Sequence, residues 1–515
     1  MNNLCNPQII SIFTQRKPTM LDQSGTLPLS PYIGLYDELI PKDNLYRRLA
    51  DEIDYSFIYK AIAPLYDSTR GRHGIDPDKM VKILMLKAMT DLSDRDLVAE
   101  ITFNMAYKYF LGMMPEEKAV ESSTLSKFRT QRLKGNSDLL DELLGETISM
   151  AVDRNIIKRD KEGNVKVRIS YDSTHTLVIG AITDAQKGAR YYLDRLYRML
   201  EASQEGSTAT LPEIPQKFKS SEEAVTMLED ICKIVRTEGL VTDLLLSRLV
   251  NRMEEAVGDY KTIGSHCSAD RDARIGYKNV KKPFGGYKNH IGTEVDSGLI
   301  VDIQTTTGNV SDTTIGREMI TSAIHRDDIK VTQILGDGAY GATDMMEIAE
   351  KEGVELIAPP NANLGSSDLE RDGFTFNKDA GMAVCPNGHL AVKHTTRHYK
   401  DENNRRVDMY YFDIDKCRMC PLRDQCLKSS DIKSKSYSVS INTEQQQEYI
   451  RKSKTRDFKE KYRKRTISER TNSVLKKSFG LKETYAKGLE MVTVQSVVAV
   501  LAYNLRLIIN KTTCK

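Results

Sequence analysis

The chain has 515 residues, more than one typical domain holds, so two or three domains or one core with large insertions are expected. Apolar residues make up 40%, which excludes wholesale disorder, and 75 basic residues nearly balance 72 acidic ones. A net charge of +3 marks no polyanion partner by itself, so any such partner must be read from where the charges cluster.

The first twenty residues lack the basic start and apolar core of a secretory signal, and none is expected. The longest apolar stretch, Val492 to Ile509, is interrupted by Gln495, Asn504 and Arg506, so it reads as a buried closing helix and not a membrane span. Eight cysteines in a chain of this size, read as cytosolic, do not suggest a disulfide framework.

Prolines punctuate the first forty residues, and helical patterning follows. Pro77 suits a first helical turn, with Met80, Ile83, Leu84 and Leu86 behind it. Ser93 and Asp96 form a capping-box-like start to a second helix carrying Leu97, Ile101, Met105 and Tyr109. Ser123 is placed as the cap of a short basic helix, and 138–156 forms another. This series is compatible with a helix-turn-helix and equally with a plain helical bundle. Near Gly163 the pattern changes. VKVRISYDS alternates as a strand does, and strand character returns in KNHIGTEV, GLIVDIQTT, VTQILGDGAYG and VELIAPP. Residues 185–262 read as a helical insert, about 361–440 as a polar β-leaning insert, and the chain is helical from Thr443. Without the inserts the order predicts a mixed α/β sheet, preceded by a helical region over 1–160. No internal repeat or low-complexity tract is present.

Two aspartates are placed at strand ends, where ligands of open α/β sheets collect: Asp172 in SYDST and Asp337 in LGDGAYG. Gly336, Gly338 and Gly341 surround the second and would permit close backbone approach. Hard divalent cations want several carboxylate oxygens. On the C-terminal segment, Tyr462, Arg465, Glu469 and Lys476 fall within an arc of about 60° if the helix is continuous. One carboxylate and two cations on such a stripe suit a cation with phosphate oxygens, although a solvated salt-bridged face has the same composition. From Arg451 to Glu490 there are fourteen Lys or Arg against five acidic residues, a local excess of nine in a chain that nets only +3. That concentration is the footprint of a polyanion.

The spacing Tyr462-x2-Arg465-x3-Glu469-x6-Lys476 resembles the C-terminal signature of DDE transposases of bacterial insertion sequences, the IS-four/IS-five superfamily. Asp337-Gly338-Ala339-Tyr340 is similar to that family's second-aspartate motif, and Tyr171-Asp172-Ser173-Thr174 to its first-aspartate strand. Gly285 to Lys288, Gly308 to Asp312 and the stretch from about Gly71 to Leu133 also resemble family segments. The resemblance implies a ribonuclease H-like catalytic domain over 161–515 and an N-terminal DNA-binding domain over 1–160. It implies that Asp172, Asp337 and Glu469 hold two magnesium (or manganese) ions for DNA cleavage and strand transfer. Arg465 and Lys476 would hold phosphates, and Tyr462 the terminal DNA backbone. The implied partners are double-stranded element ends and target DNA, with a dimer assembled on DNA, in the bacterial cytoplasm and not at a membrane. A catalytically inactive DNA-binding derivative and a nuclease of the same fold are the alternatives.

The β-leaning insert carries Cys385 with His389 nearby, then Cys417-x2-Cys420-x5-Cys426. Four thiolates can close a tetrahedral zinc site, and reduced buried cysteines are the alternative. Cys5, Cys232, Cys267 and Cys514 are isolated. His175 follows Asp172 by three residues and reads as structural.

Overall fold

The computed structural model describes residues 30–66, 75–180, 182–202, 211–267, 269–279, 282–361, 373–377, 380–398, 406–426, 435–440 and 444–513. Cys5 and Cys514 lie outside these residues.

The helical region runs α1 Leu35–Leu39, α2 Leu45–Glu52, α3 Ser56–Ile62, α4 Pro77–Thr90, α5 Asp94–Phe103, α6 Met105–Phe110, α7 Ser122–Phe128 and α8 Ser137–Asp153. Ser93 caps α5 by accepting from the Asp96 amide at 3.2 Å. The single helix expected through Tyr109 is two. Asn104 ends α5, and its side chain accepts from the Ala106 and Tyr107 amides to start α6. The basic helix begins one residue before Ser123, after Glu121, and no side chain caps it.

A six-stranded sheet follows. Its strands are β1 Lys166–Leu177, β4 Arg274–Asn279, β5 Lys282–Glu294, β6 Ile300–Thr307, β7 Lys330–Leu335 and β8 Glu355–Ile357. The order is β4-β5-β1-β7-β8, and β6 also pairs with β5. β5 lies antiparallel to β1, while β7 runs parallel to β1 and β8 parallel to β7. This mixed sheet agrees with the expected α/β class.

Between β1 and β4 stands a helical insert on a two-stranded stem. β2 Ile182–Asp184 pairs antiparallel with β3 Ser265–Cys267, and between them lie α9 Ala185–Ala202, α10 Ser221–Thr237 and α11 Leu244–Ile263. These three helices share a core of their own that includes Cys232. At the stem, buried His266 bridges Asp259 (2.7 Å) and the Tyr192 hydroxyl (3.0 Å).

After β6 come α12 Asp312–Ile324 and, beyond β7, α13 Thr343–Lys351. The second insert contains β9 Thr375–Asn377, β10 Met382–Val384, β11 Lys393–His398, β12 Arg406–Phe412, α14 Ile414–Arg418, α15 Arg423–Cys426 and β13 Lys435–Ser440. The chain then runs through α16 Glu444–Ser453, α17 Arg456–Arg463, α18 Thr466–Ser478 and α19 Leu489–Thr513.

The N-terminal helices, the sheet and α19 bury one continuous apolar cluster, from Leu49 through Ile169 and Ile334 to Ile509. α19 is long and apolar enough to span a membrane, but it is buried among the other elements as the core of the fold. The polar residues that interrupt it are ties. Asn504 bonds both backbone groups of Ile300 (3.0 and 2.8 Å) and the Thr147 hydroxyl at 3.0 Å, joining β6 to α8. Gln495 donates to the Gly480 and Glu483 carbonyls at 2.8 and 2.9 Å. A buried amide needs such partners, because each unmade bond costs about 1–3 kcal/mol.

Candidate active site

The two aspartates are brought together by strand register. Ser170 of β1 pairs with Leu335 of β7, and parallel pairing ends there. Asp172 and Asp337 each lie two residues further on, Asp172 still on β1 and Asp337 in the turn after β7, and they are near enough to interact electrostatically. Asp172 does not close its strand, as the sequence suggested; β1 continues to Leu177, paired with β5 alone. Asp337 stands two residues beyond β7 in a tight turn. The Ala339 amide donates to its carboxylate at 2.9 Å, and the Tyr340 amide to its carbonyl at 3.0 Å. The tyrosine of this motif is an anchor. Tyr340 is buried and stacks on Tyr171, with ring centroids 6.1 Å apart. Of the three glycines, two are sterically required. A Cβ at Gly336 would meet the Tyr340 side chain at 2.5 Å, and one at Gly341 the Pro359 carbonyl at 1.9 Å, whereas Gly338 faces open space.

The third carboxylate comes from α18. Ser468 is buried, and its hydroxyl donates to the Ser170 carbonyl at 3.0 Å, fixing the helix across β1 two residues before Asp172. The continuous helical stripe of the sequence reading is in fact divided. α17 ends at Arg463 and α18 starts at Thr466, with tight i to i+3 bonds through Lys464 and Arg465. Tyr462 is therefore on the preceding helix. It packs with Val295, Leu335, Ile357 and Phe458, and the Arg465 guanidinium stands 5.7 Å from its ring centroid. Arg465, at the junction, pairs with Glu469 and lies 3.6 Å from Asp172. Lys476 is half-buried, seven residues and about 10 Å along the helix from Glu469.

Sequence reasoning missed Asn472. Its amide nitrogen donates to Asp172 at 3.0 Å, which leaves its buried oxygen without a hydrogen-bond partner. The signal was present, since Asn472 follows Glu469 by three residues and shares its helix face. A second cluster lies across β1, because Ser173 points to the face opposite Asp172. Asp312, first residue of α12, accepts from Ser173 (2.9 Å) and Lys288 (3.0 Å), and His290 stands 3.7 Å away. His175 is on this opposite face too, against the Phe284 ring at 4.8 Å.

Burial pushes the Asp172 carboxyl up to about 6 against the pull of Arg465, and neighbouring Asp337 adds to the rise. Arg465 is held charged by Tyr462, Asp172, Glu469 and Asp337, which outweigh its own desolvation. One guanidinium thus stands between Asp172 and Glu469. Among the described residues, no group of three or more His, Cys, Asp or Glu side chains stands close enough to hold a metal ion. The donor chemistry nevertheless fits a hard divalent ion: carboxylate oxygens crowded enough to raise a proton affinity, and one buried amide oxygen lacking a donor.

The basic excess around this helix is partly consumed internally. Lys452 and Lys461 both pair with Glu355 of β8 (3.2 and 2.9 Å), tying α16 and α17 to the sheet. Lys454, Lys459, Arg463, Lys464, Arg470 and Lys477 remain exposed.

Two family models match the chain. One, described as "Transposase DDE domain", covers residues 261–505, and the other, "Transposase domain (DUF772)", covers 35–131. The first includes Asp337 and Glu469 but begins after Asp172. No curated protein matches the chain. Among solved structures, the cryo-EM structure of the piggyBac transposase synaptic complex with hairpin DNA is similar at 9% identity and a TM-score of 0.35, covering 91% of this chain and 75% of that one. Both regions that match family models are transposase regions, on the N-terminal helices and on the sheet with its C-terminal helices, and the chain is a DDE transposase of insertion-sequence type.

Proposed function

We propose that this DNA transposase binds the terminal inverted repeats of its own element, cleaves the ends and joins them to target DNA. The reading takes the sheet as ribonuclease H-like and the helices before residue 160 as an N-terminal DNA-binding domain. An antiparallel β6-β5-β1 meander followed by parallel β7 and β8 supports the first part. Asp172, Asp337 and Glu469 would hold the divalent ions, magnesium or manganese. When bound, such ions supply Lewis-acid activation of the attacking oxygen and stabilisation of the leaving one.

The protein's own groups do the rest. Asn472 holds Asp172 in place, and Ser468 fixes α18 to β1, with Glu469 the next residue on that helix and paired with Arg465. Arg465 exchanges carboxylate partners for phosphate oxygens as DNA arrives, and Lys476 grips the backbone further along the helix. Tyr462 packs beside Arg465 and meets the terminal backbone. Two ends must be paired before transfer, so the active assembly is at least a dimer on DNA, working at the nucleoid of a bacterial cytoplasm.

The observation that carries this reading is the placing of Asp172 on β1 beside Asp337, in the turn that leaves the adjacent parallel β7, with Arg465 linking Asp172 to Glu469. The test is a reaction of purified protein, magnesium and element-end DNA, read for strand-transfer products. Joined products support the proposal. Cleavage without joining identifies a nuclease, and end binding without cleavage identifies an inactive derivative.

A further inference from the structure

The cysteine-bearing insert is a separate small body. Its apolar core consists of five buried residues, Phe374, Ala383, Ala391, Tyr410 and Phe412, under a two-stranded and a three-stranded sheet. Five side chains, two of them alanines, bury too little apolar surface to offset the ordering of several dozen residues. Bodies of this size normally need a disulfide or a metal. No disulfide is present: the insert's Cys385, Cys417, Cys420 and Cys426 are all free thiols.

Those four cysteines, with Cys385 32 residues before the first of the other three, line one cavity of about 30 Å³. Each arrives on a tight local turn. Cys385 lies in a loop closed by its amide to the His389 carbonyl (2.9 Å) and by the Gly388 amide to its own carbonyl (2.8 Å), with Gly388 at φ +77°. Cys417 sits in α14 and Cys420 just after it, with the Cys420 amide donating to the Cys417 carbonyl at 3.3 Å. Cys426 ends α15. Two backbone amides point at sulfur: that of His389 at Cys385 (3.3 Å) and that of Leu422 at Cys420 (3.4 Å). Arg423 and Lys435 line the same cavity, so two cations face a site whose four thiolates around a divalent ion would carry two net negative charges.

We infer that Cys385, Cys417, Cys420 and Cys426 bind one zinc ion as a closed four-thiolate site that holds the insert folded. The four side chains are not a preassembled cage. Binding would draw the four sulfurs, which already line this one small cavity, to about 2.3 Å from a shared ion. Each thiol gives its proton to solvent on binding, so uptake is proton-coupled. His389 lines the cavity too, but its backbone already serves Cys385, and the fourth ligand is the thiolate.

The inference does not rest on the catalytic reading, because its readout is metal content. Full-length protein purified without chelator should contain one zinc per chain by mass spectrometry. After chelation, cobalt(II) should restore the charge-transfer and ligand-field bands of tetrahedral thiolate coordination. Cys417→Ser and Cys385→Ser should lose the metal, whereas His389→Ala and Cys232→Ser, the latter in the helical insert, should keep it. Wild-type protein with no zinc and no thiolate–cobalt bands would overturn the site, a measurement that needs no variant to fold. Loss of zinc in His389→Ala with retention in Cys385→Ser would overturn the four-thiolate set.

Discussion

The two inserts, one between β1 and β4 and the other after β8, differ sharply in the apolar core each buries. The helical insert buries more than twenty apolar residues between three amphipathic helices and closes on a short β stem. Among the described residues, the core cluster of the cysteine insert holds five. Around both runs the main core, in which N-terminal helices, sheet and α19 are one cluster. An insertion can therefore keep its shape by its own apolar burial or by a local cross-link, and composition decides which. The first is leucine-rich and helical, the second polar, β-leaning and rich in cysteine.

Four experiments sharpen or break this contrast. The largest effect belongs to the candidate active site on the main sheet. Asp172→Ala, Asp337→Ala or Glu469→Ala should each bring cleavage to background while leaving end binding nearly intact, as seen in parallel cleavage and gel-shift assays. Substantial cleavage by any of them removes that residue from the site.

The next largest separates main core from insert. Leu501→Ala, at a fully buried position in α19, should cost about 2–5 kcal/mol and lower the melting temperature of the whole protein. The Cys417→Ser/Cys426→Ser double variant should leave that transition in place but expose the insert to trypsin. An equal fall in the main transition for both would show that the insert is not independent.

A smaller effect comes from beneath the site. Asp302 keeps some solvent exposure, yet desolvation pushes its carboxyl up to about 7, with the Tyr171 hydroxyl bonded to it at 3.2 Å. Its folded value is above the unfolded one. Between pH ~4 and ~7 the folded state holds more protons, and stability falls as pH rises through that window. Asp302→Asn should be near neutral below pH ~4 and stabilising above pH ~7, on the order of 1–3 kcal/mol after allowance for screening. A denaturation series across pH checks the sign, and a constant difference would remove the linkage.

The smallest effect is on salt dependence. Arg465→Ala and Lys476→Ala should weaken end binding and each lower the salt slope by about 0.9. A fall in melting temperature with an unchanged slope would make both residues structural.

Much of the sheet was legible in the sequence because its strands alternate strongly or are continuously apolar. β1, β5, β6, β7 and β8 all fall where patterning put them. β4 was missed, since RIGYKN is short and polar and is held by pairing with β5. The breaks at Asn104 and at Lys464–Arg465 carry no glycine or proline. The first is set by a side-chain cap, and the second comes where α17 docks on the sheet edge and α18 on β1. Periodicity tells which face of a helix is buried but not against what, so the shared core of N-terminal helices and α19 could not be read. The proximity of the aspartates was suggested by their strand-end positions. Asn472 was passed over because asparagine alone carries no charge signal.

The Ser468–Ser170 tie has a consequence in time. Glu469 follows Asp172 by 297 residues. At ordinary synthesis speeds of about 5–20 residues per second, roughly 15–60 s separate their appearance at the ribosome. Through that interval the growing polypeptide exposes β1 without α18 to cover it or α19 to fill the space behind it. A nascent chain therefore has both aspartates of the proposed site in hand well before the helix that carries Glu469 can dock on β1.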